Sequence, residues 1–460
     1  MNDTWNQHRT CLEFRRNQIS RRGFVRAGVL GTAGFSLADL LRSDATASPA
    51  EAKSVNSVII LWMRGGPSHI DMWDPKPDAP IDYRGEFGVS NTNVSGIQLS
   101  DMLPMCGRVM DKWSIIRSLY HDNAGHSAGD QICFTGYPPG PAPDQNIKPS
   151  CGSIVAEQLG HLNPELPTYV MIPRQVPGTD SAYLGVAHKP FETGADPANS
   201  GPFKLPNFEV ASGLSVDRLG SRRELLTGFD RLQAAADQSG QMEALDRFGQ
   251  KAWDMLCSPA AKLAFDLDSE PEDTRDRYGF MPAFDPMASN RCGAPAWSQR
   301  MLLARRLVEA GVRLVTVDLR WWDTHVQGFD SLRRGFLPRF DKAYSALIED
   351  LDQRGLMEST LVVAWGEFGR TPRVNKDAGR DHYPNVFSAV IAGGKVRGGR
   401  VIGSSDAKGA FPKDNPKTPQ DVLATIYDHL GVDTKKQYLT ESGRPVSVLP
   451  HGEPIRELFS

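Results

Sequence analysis

Three stretches of this 460-residue chain place carboxylates, imidazoles and guanidinium groups directly after short apolar runs. The densest spans residues 361–384. There Leu361-Val362-Val363-Ala364-Trp365 stops at Gly366, Glu367 comes at once, and Arg370, Arg373, Arg380, Asp381 and His382 come next among Gly369 and Gly379. Carboxylates and imidazoles ligate divalent cations, and arginines hold oxyanions, so this loop suits chemistry on an anionic ester. The second stretch, Arg320-Trp321-Trp322-Asp323-Thr324-His325, comes after the apolar run 312–319. The third, from Arg64 through His69 to Asp71, comes after the run 55–63, and His69 and Asp71 would share one side of an extended segment. Any one of these loops reads equally well as a solvated turn with surface ion pairs. Their recurrence at three strand ends points instead to a metal or catalytic site.

The elements that must position these groups can be read from pattern. The apolar runs have the length and β-branched content of strands buried on both faces, and in an open α/β sheet ligands meet the groups just past the carboxyl ends of such strands. The run 312–319, an amphipathic helix over 339–354 and the strand beginning at Thr360 form a βαβ unit, which brings Asp323, His325 and Glu367 to one sheet edge. Further strands are expected at 113–117, 169–172 and 386–392, and further helices at 153–159, 297–310 and 418–430. The last helix has Thr418 as cap, Pro419 at its first position and Gly431 after its end. After His121, a helix is expected over residues 131–134 and ending at Thr135-Gly136, with His126 and Ser127 in its first turn. The unpaired N–H groups of that turn favour an oxyanion. Gly393-Gly394-Lys395-Val396-Arg397-Gly398-Gly399 lacks the order of a phosphate loop and reads as a hairpin turn. Residues 151–299 read as insertions and a helical cover, with two or three amphipathic helices between 214 and 265.

Composition excludes several classes. A hydrophobic content of 40% is ordinary for a globular protein, and a formal net charge of -3 gives no sign of a nucleic-acid binder. The N-terminus carries Arg21-Arg22-Gly23-Phe24-Val25-Arg26, an apolar region over 27–41 broken by Asp39, and the small residues Ala45-Thr46-Ala47. These are the parts of a twin-arginine export signal over residues 1–47, leaving a mature domain over 48–460 with insertions at about 173–298. The expectation is a periplasmic or extracellular protein with no transmembrane span in its mature chain. The cysteines are scattered, with no C-x-x-C pair, and read as buried small hydrophobes with at most one disulfide.

Together the twin-arginine leader, Gly-Gly-Pro-Ser-His-Ile-Asp-Met-Trp-Asp-Pro-Lys-Pro from Gly65, the His121-to-Gly136 segment, Trp322-Asp323-Thr324-His325, Gly366-to-Pro372 and Gly379-to-Pro384 resemble a widespread family of exported bacterial proteins. That family, a domain of unknown function, is placed in the alkaline phosphatase/sulfatase superfamily. The resemblance implies a mostly parallel sheet flanked by helices and one or two divalent ions (zinc, manganese or calcium). It also implies hydrolysis of a phosphate or sulfate ester, in a small molecule or a polysaccharide. It makes Asp323, His325 and His382 ligands of one metal, with Glu367, Asp381, Asp71 and His69 as further candidate ligands and Arg370 as a catalytic cation. Counting back from Thr135-Gly136, the superfamily's nucleophile position falls on His126, with Ser127 next to it. Three roles are open: His126 as ligand with water attacking, Ser127 as nucleophile, or His126 as nucleophile. The superfamily's Asp-His pair appears here as Glu367-Phe368, and no C-x-P-x-R sequence exists for a formylglycine sulfatase. These departures leave a second reading, a catalytically silent sulfatase-like protein that binds a polyanion or a partner at the cell surface.

Overall fold

A computed structural model describes residues 56–199, 201, 203–206, 258–440 and 442–460. The expected leader lies outside the described residues, as do residues 214–257 of the stretch 214–265 expected to carry two or three helices; its described end does form a helix, Pro259–Phe265. Eight strands form the central sheet: β1 (Ser57–Trp62), β2 (Trp113–Leu119), β3 (Tyr169–Ile172), β4 (Phe191–Glu192), β5 (Leu314–Asp318), β6 (Thr360–Trp365), β7 (Phe387–Gly393) and β8 (Arg400–Ile402). Their order across the sheet is β8-β2-β7-β6-β1-β5-β3-β4. All run in one direction except β7, which is antiparallel to both β6 and β2. The fold is therefore the expected α/β architecture with a mostly parallel sheet.

β1 sits at the centre because all six of its residues are buried, with β5 on one side and β6 on the other. Its side chains alternate between two cores. Ile59 and Leu61 pack toward the helices α3 (Ser298–Glu309) and α4 (Leu337–Gln353). Val58, Ile60 and Trp62 pack toward α1 (His126–Thr135), α2 (Cys151–Leu159) and α5 (Pro419–Leu430). In α4, Leu337, Phe340, Tyr344, Leu347 and Leu351 recur at three- and four-residue spacing, and all are buried, as a helix laid on a sheet requires. Each such side chain contributes roughly 1.5–3 kcal/mol on burial. α5 has the expected ends: Thr418 and Asp421 form a capping box, and Gly431 adopts the left-handed conformation.

Two expectations need correction. The glycine-rich turn after β7 is not a hairpin, because β8 pairs with β2 and not with β7. β2 already occupies the flank of β7, so the returning chain must pass over it to reach an open edge. The helix expected over 131–134 extends back to His126, with Gly125 as its cap, so that His126 and Ser127 do fall in its first turn as expected. Among the described residues Cys106, Cys133, Cys151 and Cys292 are free, and no helix is long and apolar enough to cross a membrane.

Candidate metal centre

The carboxyl edge of the sheet gathers the loops after β1, β5 and β6 around the first turn of α1. After β6 the chain makes a small antiparallel pair in which His382 lies opposite Arg370 and Tyr383 opposite Gly369. That pairing brings an imidazole twelve positions away onto the end of β6. After β5 the buried Trp322 stacks on Trp297 at 5.4 Å and packs at a tilt against Phe336 at 4.8 Å, and its N–H donates to the Leu319 carbonyl at 2.8 Å. The anchored indole fixes the next residue, Asp323, at the centre of the cluster.

Three imidazoles face that carboxylate. His382 Nε2 and His325 Nε2 each lie 2.9 Å from Asp323 Oδ1, and His126 Nε2 lies 3.5 Å from Oδ2. His382 Nε2 and His325 Nε2 are 3.0 Å apart. The outward nitrogens determine the tautomers. His382 Nδ1 sits 2.8 Å from the Ala124 carbonyl, His325 Nδ1 2.6 Å from Asp381 Oδ1, and His126 Nδ1 2.6 Å from Glu367 Oε1. Each of these partners only accepts, so each Nδ1 carries a proton and each ring, when neutral, turns an Nε2 lone pair inward. Ring tautomers held from outside by carboxylate or carbonyl are the usual frame of a metal-binding histidine. His126, Asp323 and His382 can each offer one ligand atom, all within 4.8 Å of one another.

Charge is set by this geometry. Burial pulls the His126 imidazole down, but its bonds to Asp323 and Glu367 outweigh that and raise its pKa to about 9. Burial pushes the Asp323 carboxyl up, and His126, His382 and Arg370 together hold it well below the usual carboxylate range.

Glu367 forms the floor. It is fully buried, and Oε1 accepts from the Gly65 N–H at 2.8 Å as well as from His126. Its other oxygen, Oε2, is buried with no hydrogen-bond partner among the described residues. A buried carboxylate oxygen with no donor beside inward lone pairs fits a cation. Two glycines allow this approach. Gly65 has a φ of +110°, and a Cβ there would meet the Trp322 nitrogen at 2.4 Å; a Cβ at Gly129 would come within 3.0 Å of Glu367 Cβ.

Several residues singled out in the sequence have other positions. Asp71 is not at the cluster: its two oxygens accept from Arg380 Nε at 2.8 Å and Nη2 at 3.0 Å, and both side chains are buried. His69 is fully buried, with Nε2 2.9 Å from the Gly409 carbonyl, and burial lowers its pKa. Arg370 is also fully buried. It donates to the carbonyls of Gly66 at 2.9 Å, Arg380 at 3.1 Å and Gly65, to Asp323 Oδ1 at 2.6 Å, and more weakly to His325 Nε2 at 3.4 Å, which engages all five of its N–H groups. That makes Arg370 a positioning residue for Asp323 and leaves it no open donor for a substrate. Asp381 acts through His325, and Ser127 donates its hydroxyl proton to Asp144. Asp71→Asn leaves the buried Arg380 charge without its counterion. The expected loss, by urea unfolding, is about 3–5 kcal/mol, with metal content unchanged. Metal lost from a folded Asp71→Asn protein would return Asp71 to the ligand set.

Sequence reasoning did not single out Asp130, His121 or Arg64 as site residues. Asp130, one helical turn after His126, is buried and accepts from Trp62 Nε1 at 3.1 Å and Arg64 Nε at 2.7 Å. Burial, and then the Glu367 charge, push its carboxyl well above the usual range against the pull of Arg64. The i, i+4 spacing from His126 was the available signal. His121 accepts the Asn123 N–H on Nδ1 and donates from Nε2 to the Glu367 carbonyl at 2.5 Å. Arg64 lies 4.4 Å from the Trp321 ring and 3.5 Å from the Ser127 hydroxyl, beside the start of α1.

Comparison with known proteins gives a family and distant structural likenesses. The family described as "Protein of unknown function (DUF1501)" matches residues 55–459. No curated protein matches the chain by sequence. Among solved structures, a 2-O GAG sulfatase is 12% identical, with 88% of this chain and 74% of that one covered and a TM-score of 0.37. A phosphonate monoester hydrolase from Silicibacter pomeroyi is also 12% identical, covering 88% and 76%, with a TM-score of 0.35. A sulfatase from Pseudoalteromonas sp. is 11% identical, covering 86% and 72%, with a TM-score of 0.36.

Proposed function

This chain belongs to the DUF1501 family, and from that premise we propose that it is a sulfatase-like, metal-dependent hydrolase of phosphate or sulfate esters. We further propose that it leaves the cytoplasm by the twin-arginine route, on the strength of Arg21-Arg22 and the apolar region after them. The observation that carries the catalytic reading is the convergence of three inward Nε2 atoms on Asp323, with the unpartnered Glu367 Oε2 beneath. His126, Asp323 and His382 would hold a divalent ion, with His325 and Glu367 beside them. Mixed imidazole and carboxylate donors suit zinc or manganese. Such an ion supplies Lewis acidity toward the ester oxygens and a lowered pKa for bound water.

The chain's own groups do the rest. Asp381 and the Ala124 carbonyl fix the His325 and His382 rings, so their lone pairs need no reorientation on binding. Arg370 holds Asp323 in place from behind. Arg64 and the N–H groups at the start of α1 offer positive potential on the open side of His126, where an ester oxyanion would lie. His126 is read as a ligand, with water as the nucleophile.

That assignment is tested at Ser127. Its hydroxyl already donates to Asp144, so Ser127→Ala should retain most turnover of an aryl phosphate and an aryl sulfate. A Ser127→Ala protein with full metal content and no turnover would make serine the nucleophile. The engaged hydroxyl is also the one observation favouring the second reading, a silent relative that binds a polyanion. In that case bound metal would be accompanied by no ester turnover at all.

A further inference from the structure

Resting on the hydrolase reading above, we infer that a second anion-binding subsite lies beside the histidine cluster, in the cleft past the carboxyl ends of β3 and β5. It takes a further sulfate, phosphate or carboxylate group of the same substrate molecule. The cleft has a volume of about 550 Å³, and among the described residues its walls include Arg174, Lys204, Arg300 and Arg320 against two carboxylates, Asp196 and Asp318. Pockets that hold small ligands run from roughly 300 to 1,000 Å³.

Both carboxylates are already matched. Arg300 pairs with both oxygens of Asp196, its Nε lying 2.8 Å from Oδ1, and it also donates to the Asp318 carbonyl. The Asp318 carboxylate accepts from the Arg320 backbone N–H at 3.0 Å and from the Arg320 guanidinium. The remaining charge of the wall is positive. Arg174, two residues after the end of β3, is exposed and has no hydrogen-bond or ion-pair partner among the described residues. A concave wall with surplus charge of one sign concentrates counter-charged ligands.

The position of the cleft ties it to the cluster. β3 and β5 are neighbours in the sheet, so the cleft continues the same carboxyl edge that carries Asp323. Arg320 lines the cleft, and its guanidinium lies 5.0 Å from the Trp321 ring, which in turn lies 6.1 Å from the His126 ring. One molecule whose ester meets His126 can therefore reach past Trp321 into the cationic cleft. An acidic oligosaccharide has this form: a chain with anionic groups on successive units.

The test is calorimetric binding of a heparin-derived tetrasaccharide to the full protein and to Arg174→Glu and Arg174→Lys, at low and high salt. Binding should weaken about tenfold in Arg174→Glu at low ionic strength, the difference should shrink as salt rises, and Arg174→Lys should restore it. Turnover of an aryl sulfate or phosphate, which carries no second anion, should not change in Arg174→Glu. Failure of the wild type to bind the tetrasaccharide, or equal binding by Arg174→Glu, overturns the subsite. Inorganic sulfate bound through Arg174 as tightly as the tetrasaccharide overturns the claim that the site serves a group on the same substrate molecule. Arg174-dependent tetrasaccharide binding by a protein that turns over no ester supports the subsite while removing the hydrolase reading.

Discussion

His126→Ala should abolish turnover of aryl phosphate and aryl sulfate and release most of one equivalent of bound metal, while the protein remains folded. Removing a hydrogen-bond partner of a metal ligand typically costs 10–100-fold in affinity or activity, and removing the ligand should cost more. His126 sits where three contacts converge: Nδ1 on Glu367, Nε2 toward Asp323, and its ring 4.3 Å from His382. Among the described residues, alanine leaves the buried Glu367 carboxylate with only the Gly65 N–H as donor. Folding should survive, because His126 is partly exposed in the first turn of α1. The metal-free wild type gives a second readout. Its charged His126 contributes stability that is present below about pH 6.5 and is lost as pH rises through about 9. His126→Ala should lack that decline. Full metal content with normal turnover in His126→Ala would remove His126 from the centre.

Arg370→Lys should be nearly as damaging, although it keeps the charge. The Arg370 guanidinium serves the carbonyls of Gly65, Gly66 and Arg380 together with the Asp323 carboxylate, in a fully buried position. An ammonium group is a compact point charge and cannot reproduce that planar fork. Carbonyls left without donors each cost about 1–3 kcal/mol, so a total loss of several kcal/mol is expected. Asp323 would also lose the contact that orients it, and metal content should fall. Denaturant unfolding together with elemental analysis checks both. An Arg370→Lys protein as stable as wild type but with raised KM alone would instead assign Arg370 to substrate contact.

Much of this centre was legible because strands buried on both faces are continuous apolar runs, and the polar groups just past their carboxyl ends stand out from them. Glu367, Asp323 and His325 come after β6 and β5 in that way, and the βαβ rule set them on one edge. The start of α1 was harder to read. Ala124-Gly125-His126-Ser127 carries weak helix signals, with no side-chain cap on Gly125, although the helix starts at His126. The short pairing of His382 with Arg370 has no periodic signature over two residues. Asp71 and Arg380 are 309 positions apart, and nothing local distinguishes a carboxylate bound for a metal from one bound for a buried arginine. For the same reason Arg370 read as a substrate cation: burial, which turns its donors inward, belongs to the packed loops and not to the sequence around it.

The most direct test of the metal centre is calorimetric titration of metal-free protein with zinc, and separately with manganese, near neutral pH in buffers of different ionisation heat. The expected result is at least one equivalent bound per chain, with release of about one proton, because the ion must displace the extra proton that His126 holds up to a pKa of about 9. Neither metal binding to the folded protein would contradict the account at its centre.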